Sequence, residues 1–166
     1  MTQYRAHVEI LKATPELCCM VADNMRESDT REMLAAGLKN ARASMAISVR
    51  LSHEAFVGMA DGEPACVFGI GYGSLISQMA RPWMIGTPEI ESHQFAFLRR
   101  NKAFIKAWAQ EYGRLENMVD ARHTASLRWV RWLGFHIHPA VPFGPYALPF
   151  HPISLTASDV ATQEVQ

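Results

Sequence analysis

The chain has 166 residues, 49% hydrophobic and 19% charged, a balance that excludes a disordered protein and allows one domain with a sizeable core. Sixteen basic and sixteen acidic residues give no net charge, which argues against a general nucleic-acid binder. Three cysteines, with Cys18 and Cys19 adjacent, suit reduced thiols better than a disulfide framework, and no apolar run reaches the ~18 residues of a membrane span.

Residues 6–13 alternate as a first strand, with Val8, Ile10 and Leu11 toward a core. Thr14-Pro15-Glu16 starts a helix: a cap, a proline in the first turn and an acid that suits the dipole. That helix carries Leu17, Met20, Val21 and Met25. A second helix is expected to start at Asp29, with Glu32 three residues on as a capping box, and to stop at Gly37. A third, rich in Ala and Met, spans 40–51. Residues 55–60 and 65–70 form a hairpin around Asp61-Gly62-Glu63-Pro64, where Asp and Gly accept the positive φ of a tight turn. Gly69, Gly71 and Gly73 follow without a helix signal, so they read as bulges or close backbone approach rather than a phosphate loop.

Residues 82–87 are the next strand, with Trp83 read as core ahead of pocket wall. A long helix over 94–112 places Phe97, Leu98, Phe104, Ile105, Trp108 and Tyr112 on one stripe and stops at Gly113. Residues 115–120 read as a buried strand. Thr124 caps a helix whose Ser126, Trp129, Val130 and Leu133 share a face, and Gly134 ends it. Residues 135–141 and 147–153 are closing strands around a turn at 142–146; five prolines in this region suit edge or loop segments. The domain thus covers 1–155, and 156–166 is a polar tail expected to fray. His136 and His138 alternate on a strand with nothing nearby to complete a zinc set, so no metal is expected. From Arg99 to Arg131, eight Lys/Arg face three acids, a local excess that fits a solvated helix face or a docking surface for phosphates or an acidic partner.

The block from Leu115 to Phe135 resembles the last conserved segment of the GNAT acetyltransferase superfamily: strand, loop, amphipathic helix, Gly-Phe. Aligned on Gly134 and Phe135, His123 falls where that family has Asn, Ser126 where it has Ala, and Val130 where it often has a catalytic Tyr. More narrowly, the chain over 6–153 resembles GNAT-like proteins of short-tailed bacteriophages, one branch of which is described as an internal virion protein. The resemblance implies an α+β fold: a mixed, mostly antiparallel sheet of about six to seven strands, with a V-shaped splay between the strands at 82–87 and 115–120, flanked by helices.

It also implies an activity, acyl transfer from acetyl-CoA to a small amine or a protein. The backbone of Ile85, Gly86 and Thr87 is then expected to hold the pantetheine arm and polarise the thioester. The family's glycine-rich pyrophosphate loop is missing. The stretch 87–94 has no glycine and carries Glu89 and Glu91, so Arg99 and Arg100, one to two turns on, are the expected phosphate partners. With valine at position 130, the proton donor is expected from His123 or Tyr112, with Tyr72 a further possibility, and the base from Glu54, Glu89, Glu91 or His93. The alternative is a non-catalytic virion or assembly protein, or a binder of a host factor. The expected location is the host cytoplasm during infection, or the virion; neither membrane nor nucleic acid is an expected partner.

Overall fold

The computed structural model describes residues 7–74 and 79–164. Ala6 of the expected first strand and the last two residues of the expected tail lie outside them. The elements run β1 (Val8–Lys12), α1 (Pro15–Asp23), α2 (Glu27–Ala35), α3 (Ala41–Arg50), β2 (Ser52–Ala60), β3 (Glu63–Ser74), β4 (Met79–Gly86), α4 (Glu89–Ser92), α5 (Gln94–Tyr112), β5 (Arg114–Asp120), α6 (Thr124–Trp132), β6 (His136–Ile137), β7 (Val141–Phe143), β8 (Leu148–Thr156) and α7 (Ala157–Glu164).

Local signals account for most of these bounds. The Thr14 hydroxyl accepts from the Leu17 N–H and Asn40 Oδ1 from the Ala43 N–H, so α1 and α3 start at side-chain caps. Asp61 and Gly62, at φ 50° and 86°, make the two-residue turn whose twist matches the β2–β3 hairpin. Two starts differ from expectation. Helix α2 begins at Glu27, with Arg26 as cap residue, which puts Asp29 in the first turn. Helix α6 is capped by His123, whose ring accepts from the Ser126 N–H, rather than by Thr124.

The strands form one sheet in the order β1-β2-β3-β4-β5-β8-β6, with β7 also on β8. Every pairing is antiparallel except β4 with β5. Helices cover both faces. On one, α5, α6 and α7 bury Phe97, Ile105, Trp108, Trp129 and Val160 against Phe68, Leu115 and Leu155. On the other, α1 and α3 bury Val21 and Met45 against Val57 and Val67. Each such side chain contributes ~1.5–3 kcal/mol of transfer free energy, so the two cores fix the sheet between its helices.

The C-terminal third departs from expectation in two ways. Strand β8 is interior: it pairs residue for residue with β5 along Arg114–Asp120 and carries β6 and β7 on its other side. Its prolines fit because each points its missing N–H past the end of a partner strand. The Pro152 carbonyl accepts from the His138 N–H just beyond β6, and the Pro149 carbonyl accepts from the Ala121 N–H just beyond β5. The expected frayed tail is instead a helix over Ala157–Glu164. The Thr156 hydroxyl accepts from the Asp159 N–H while Asp159 Oδ2 accepts from the Thr156 N–H, a reciprocal cap, and Val160 is 5% exposed in the core.

Candidate active site

Strands β4 and β5 meet in register only at Met79–Arg114 and Ala80–Leu115. Beyond these pairs they diverge, and the Asn117 side chain bridges the opening by donating to the Pro82 carbonyl at 2.7 Å. A cavity of about 320 Å³ occupies the gap. Its β4 wall is Pro82 to Ile85 and its β5 wall is Asn117 to Val119. Helix α5 contributes Asn101 and Phe104, α6 contributes Ser126, Trp129 and Val130, and α2 contributes Asp29, Glu32 and Met33. The lining is mostly apolar; its ionisable groups, Asp29 and Glu32, come from α2, and Ser44, Ser48, Asn101, Asn117 and Ser126 are the other polar side chains.

Asp29 and Glu32 belong to a buried network. The Arg26 guanidinium donates to Asp29 at 2.6 Å, and the Gly86 N–H donates to the same carboxylate oxygen at 2.9 Å. His123 Nε2 lies 2.7 Å from the other oxygen. His123 Nδ1 accepts from the Ser126 N–H, so the ring is neutral with its proton on Nε2, directed at Asp29 and the Ser126 hydroxyl. Burial alone would raise the Asp29 carboxyl; the bonds from His123, Arg26 and Gly86 outweigh it and hold the group below its ordinary value. Glu32 lies one turn on, its side chain 23% exposed. It accepts the Asp120 N–H at 3.2 Å and stands 3.6 Å from His123 Nε2. Burial pushes its carboxyl up to about 7, helped by the nearby Asp29 and Asp120 carboxylates, and the Asp120 N–H only partly counters this.

Asp29, Glu32 and His123 bring one ligand atom each within 4.8 Å of one another, a spacing compatible with a metal ion. The hydrogen bonds argue against that use. Ligation through Nε2 would require removing its proton while Nδ1 still accepts an N–H, and Asp29 is already neutralised by Arg26.

The expected site residues scatter. His123 is 1% exposed, and with both ring nitrogens engaged it sits one layer behind the wall formed by Glu32 and Ser126. Tyr112 is at the far end of α5 against His53 and does not line the cavity. Ile85 lines it, but its backbone faces Val67 in the β3 ladder. The Gly86 N–H is taken by Asp29 and the Thr87 N–H by the Ala65 carbonyl. Strand alternation leaves Met84 as the β4 residue whose amide points into the splay. Arg99 and Arg100 are exposed; Arg99 lines a separate hollow with Lys102, Lys106 and Trp132. The hollow beside the start of α5 is lined instead by Arg26, Gln94 and Arg128. Sequence reasoning missed Glu32 and Asp29 as site residues because their spacing reads as a helix cap.

Gly86 is needed for a different reason than expected. A Cβ there would lie 2.9 Å from Ile90 Cγ2, because α4 folds back onto the end of β4. Gly86→Ala is expected to cost ~1–3 kcal/mol by overpacking. Urea unfolding of Gly86→Ala with Ile90→Ala should show less loss than the two single changes added; strict additivity would count against this contact.

No protein-family model matches the sequence, and no curated protein matches it. Solved structures do match by shape. A spermidine N-acetyltransferase chimera from Vibrio cholerae superposes with TM-score 0.65 at 10% identity over 93% of this chain and 98% of that one. A GNAT-family acetyltransferase from Bacillus anthracis gives 0.68 at 13% over 93% and 98%. A ribosomal alpha-N-protein acetyltransferase in complex with coenzyme A gives 0.65 at 12% over 92% and 95%. The chain has the GNAT fold. Its open sheet, with the β4–β5 splay and helices on both faces, is the GNAT architecture, and the cavity lies in the GNAT splay.

Proposed function

We propose that this chain is a GNAT-fold acyltransferase that takes an acyl group from acyl-CoA, acetyl-CoA in the simplest case, and delivers it to a primary amine. The observation that carries the reading is the cavity through the β4–β5 splay, walled by a carboxyl group poised near neutrality. In this reading the thioester lies along β4 with its carbonyl at the Met84 N–H, a preorganised donor for the negative charge that develops on oxygen. The amine approaches from the α2 side, where Glu32 removes its proton. The amine nitrogen attacks the carbonyl carbon, the C–S bond breaks, and the Ser126 hydroxyl, backed by His123, hydrogen-bonds the departing sulfur. Val130, one turn further, has no proton to offer. Arg128 and Gln94 flank the hollow that suits the pyrophosphate, with Arg26 behind them. The sequence resemblance supports a bacteriophage setting, with the reaction in the host cytoplasm.

One observation favours a second reading. The amides of Gly86 and Thr87 are engaged within the protein, and α4 stands in place of a glycine loop. A GNAT-fold protein so closed serves as a virion component or a binder of a host protein, and mass spectrometry of purified virions tests that directly.

Acetyl-CoA decides between the two. At ~100 times its dissociation constant a ligand adds ~2.7 kcal/mol, which for a chain of this size raises the melting temperature by roughly 5–10 °C. The acyltransferase reading expects that rise. No shift at millimolar acetyl-CoA or coenzyme A would sink it and leave the binding role.

A further inference from the structure

Helix α5 holds an asparagine on the stripe that otherwise carries Phe97, Leu98, Ile105 and Trp108 into the core. Asn101 is 5% exposed. Among the described residues its Nδ2 reaches only the Met84 sulfur, at 3.5 Å, and its Oδ1 is buried without a hydrogen-bond partner. Exchanging the two ends of the amide would leave both unmatched, because the Met84 sulfur can accept but not donate. A buried polar atom left unmatched weakens the fold, so an apolar residue would serve α5 better if packing were the only demand. The amide lines the splay cavity beside Phe68, Phe104 and Trp129, on the α5 side of Met84.

These surroundings define what would satisfy it. The neighbours are apolar, so the matching group is a single N–H within a chain that is otherwise apolar and thin enough for the gap. We propose that Asn101 is a ligand-binding residue whose Oδ1 accepts the N–H of a secondary amide on an extended chain lying in the splay. This rests on the acyl-CoA reading, under which the chain is the pantetheine arm. The side chain then completes from α5 what the Met84 backbone offers from β4. Asn101 has no part in bond making; it sets affinity and register along the arm.

Calorimetric titration of three ligands tests this: coenzyme A, pantetheine without the nucleotide, and adenosine 3′,5′-bisphosphate without the arm. Asn101→Leu keeps the volume and removes the amide; Asn101→Ala is a second variant in case the first packs badly. Both are expected to bind coenzyme A and pantetheine about tenfold more weakly than the parent chain, the scale of one hydrogen bond to a buried group. Binding of the adenosine bisphosphate is expected to stay within twofold. The ligand-free Asn101→Leu protein is expected to melt above the parent, because its orphan is gone. Coenzyme A affinity within twofold of the parent in a folded variant overturns the Asn101 assignment alone, and so does an equal loss for the arm-less nucleotide. A parent chain that binds none of the three overturns the acyl-CoA reading and this inference with it.

Discussion

Asp29→Ala is expected to destabilise the protein by ~3–5 kcal/mol, the cost of leaving a buried charge without its partner. Arg26 is 6% exposed, and its guanidinium has Asp29 as its close counter-ion, with exposed Glu91 at 3.8 Å. The same carboxylate also receives the Gly86 N–H and the His123 ring N–H. One residue of α2 therefore ties the end of β4 to the start of α6 across 94 positions of sequence. Urea or thermal unfolding reads the loss, roughly 10 °C in melting temperature at this chain length. A loss under ~1 kcal/mol would mean that the network is solvated and not a structural tie. The pH dependence has a definite sign. The folded Asp29 carboxyl titrates below its unfolded value, so its contribution is present above the ordinary carboxylate range. That contribution fades as pH falls through the lower folded value, and Asp29→Ala should flatten this acid limb.

Glu32→Gln is expected to cut acyl transfer by at least ~100-fold while leaving acetyl-CoA affinity within twofold, the pattern of a lost general base. With the carboxyl at about 7, wild-type turnover should climb with pH through neutrality and then level, and the variant should lack that rise. Stability should move the other way. The folded protein keeps a proton on Glu32 that the unfolded chain has released, so wild-type stability falls as pH rises from about 4.5 to about 7. The expected size is roughly 2–3 kcal/mol, and Glu32→Gln should not show it. Turnover within threefold of the wild type across pH 6–9 would remove Glu32 from the mechanism.

What could be read from the sequence was what depends on near neighbours. Thr14-Pro15, Asp61-Gly62 and Gly113 set their turns and caps through groups within three or four residues, and the structure keeps all of them. The splay was legible through the resemblance carried by 115–135. Asp29 and Glu32 were not, because an acid followed three residues on by Glu is also how a helix start looks, and His123 lies far along the chain. Asn101 stood on an apolar stripe where nothing local marks an unmatched amide. The closing helix did leave a signal, Thr156 with Asp159 three residues later, but one apolar residue, Val160, carried it into the core. The prolines of β8 misled for a related reason: a proline forbids a partner on one side only, and the sequence does not say which side.

The meeting of β4 and β5 at two register pairs has a consequence for how the chain is made. During synthesis β2, β3 and β4 can zip as successive antiparallel neighbours, and β1, made before α1 to α3, joins β2 across those helices. Strand β5 emerges with backbone pairing only to Met79 and Ala80 of β4, and its long ladder waits for Leu148–Thr156, which follows it in the chain. Until that strand is out, the second half of the sheet has an open edge carrying Leu115 and Val119. Ribosome-bound chains stalled before residue 148 should therefore protect the first four strands from amide exchange and leave β5 exchanging freely.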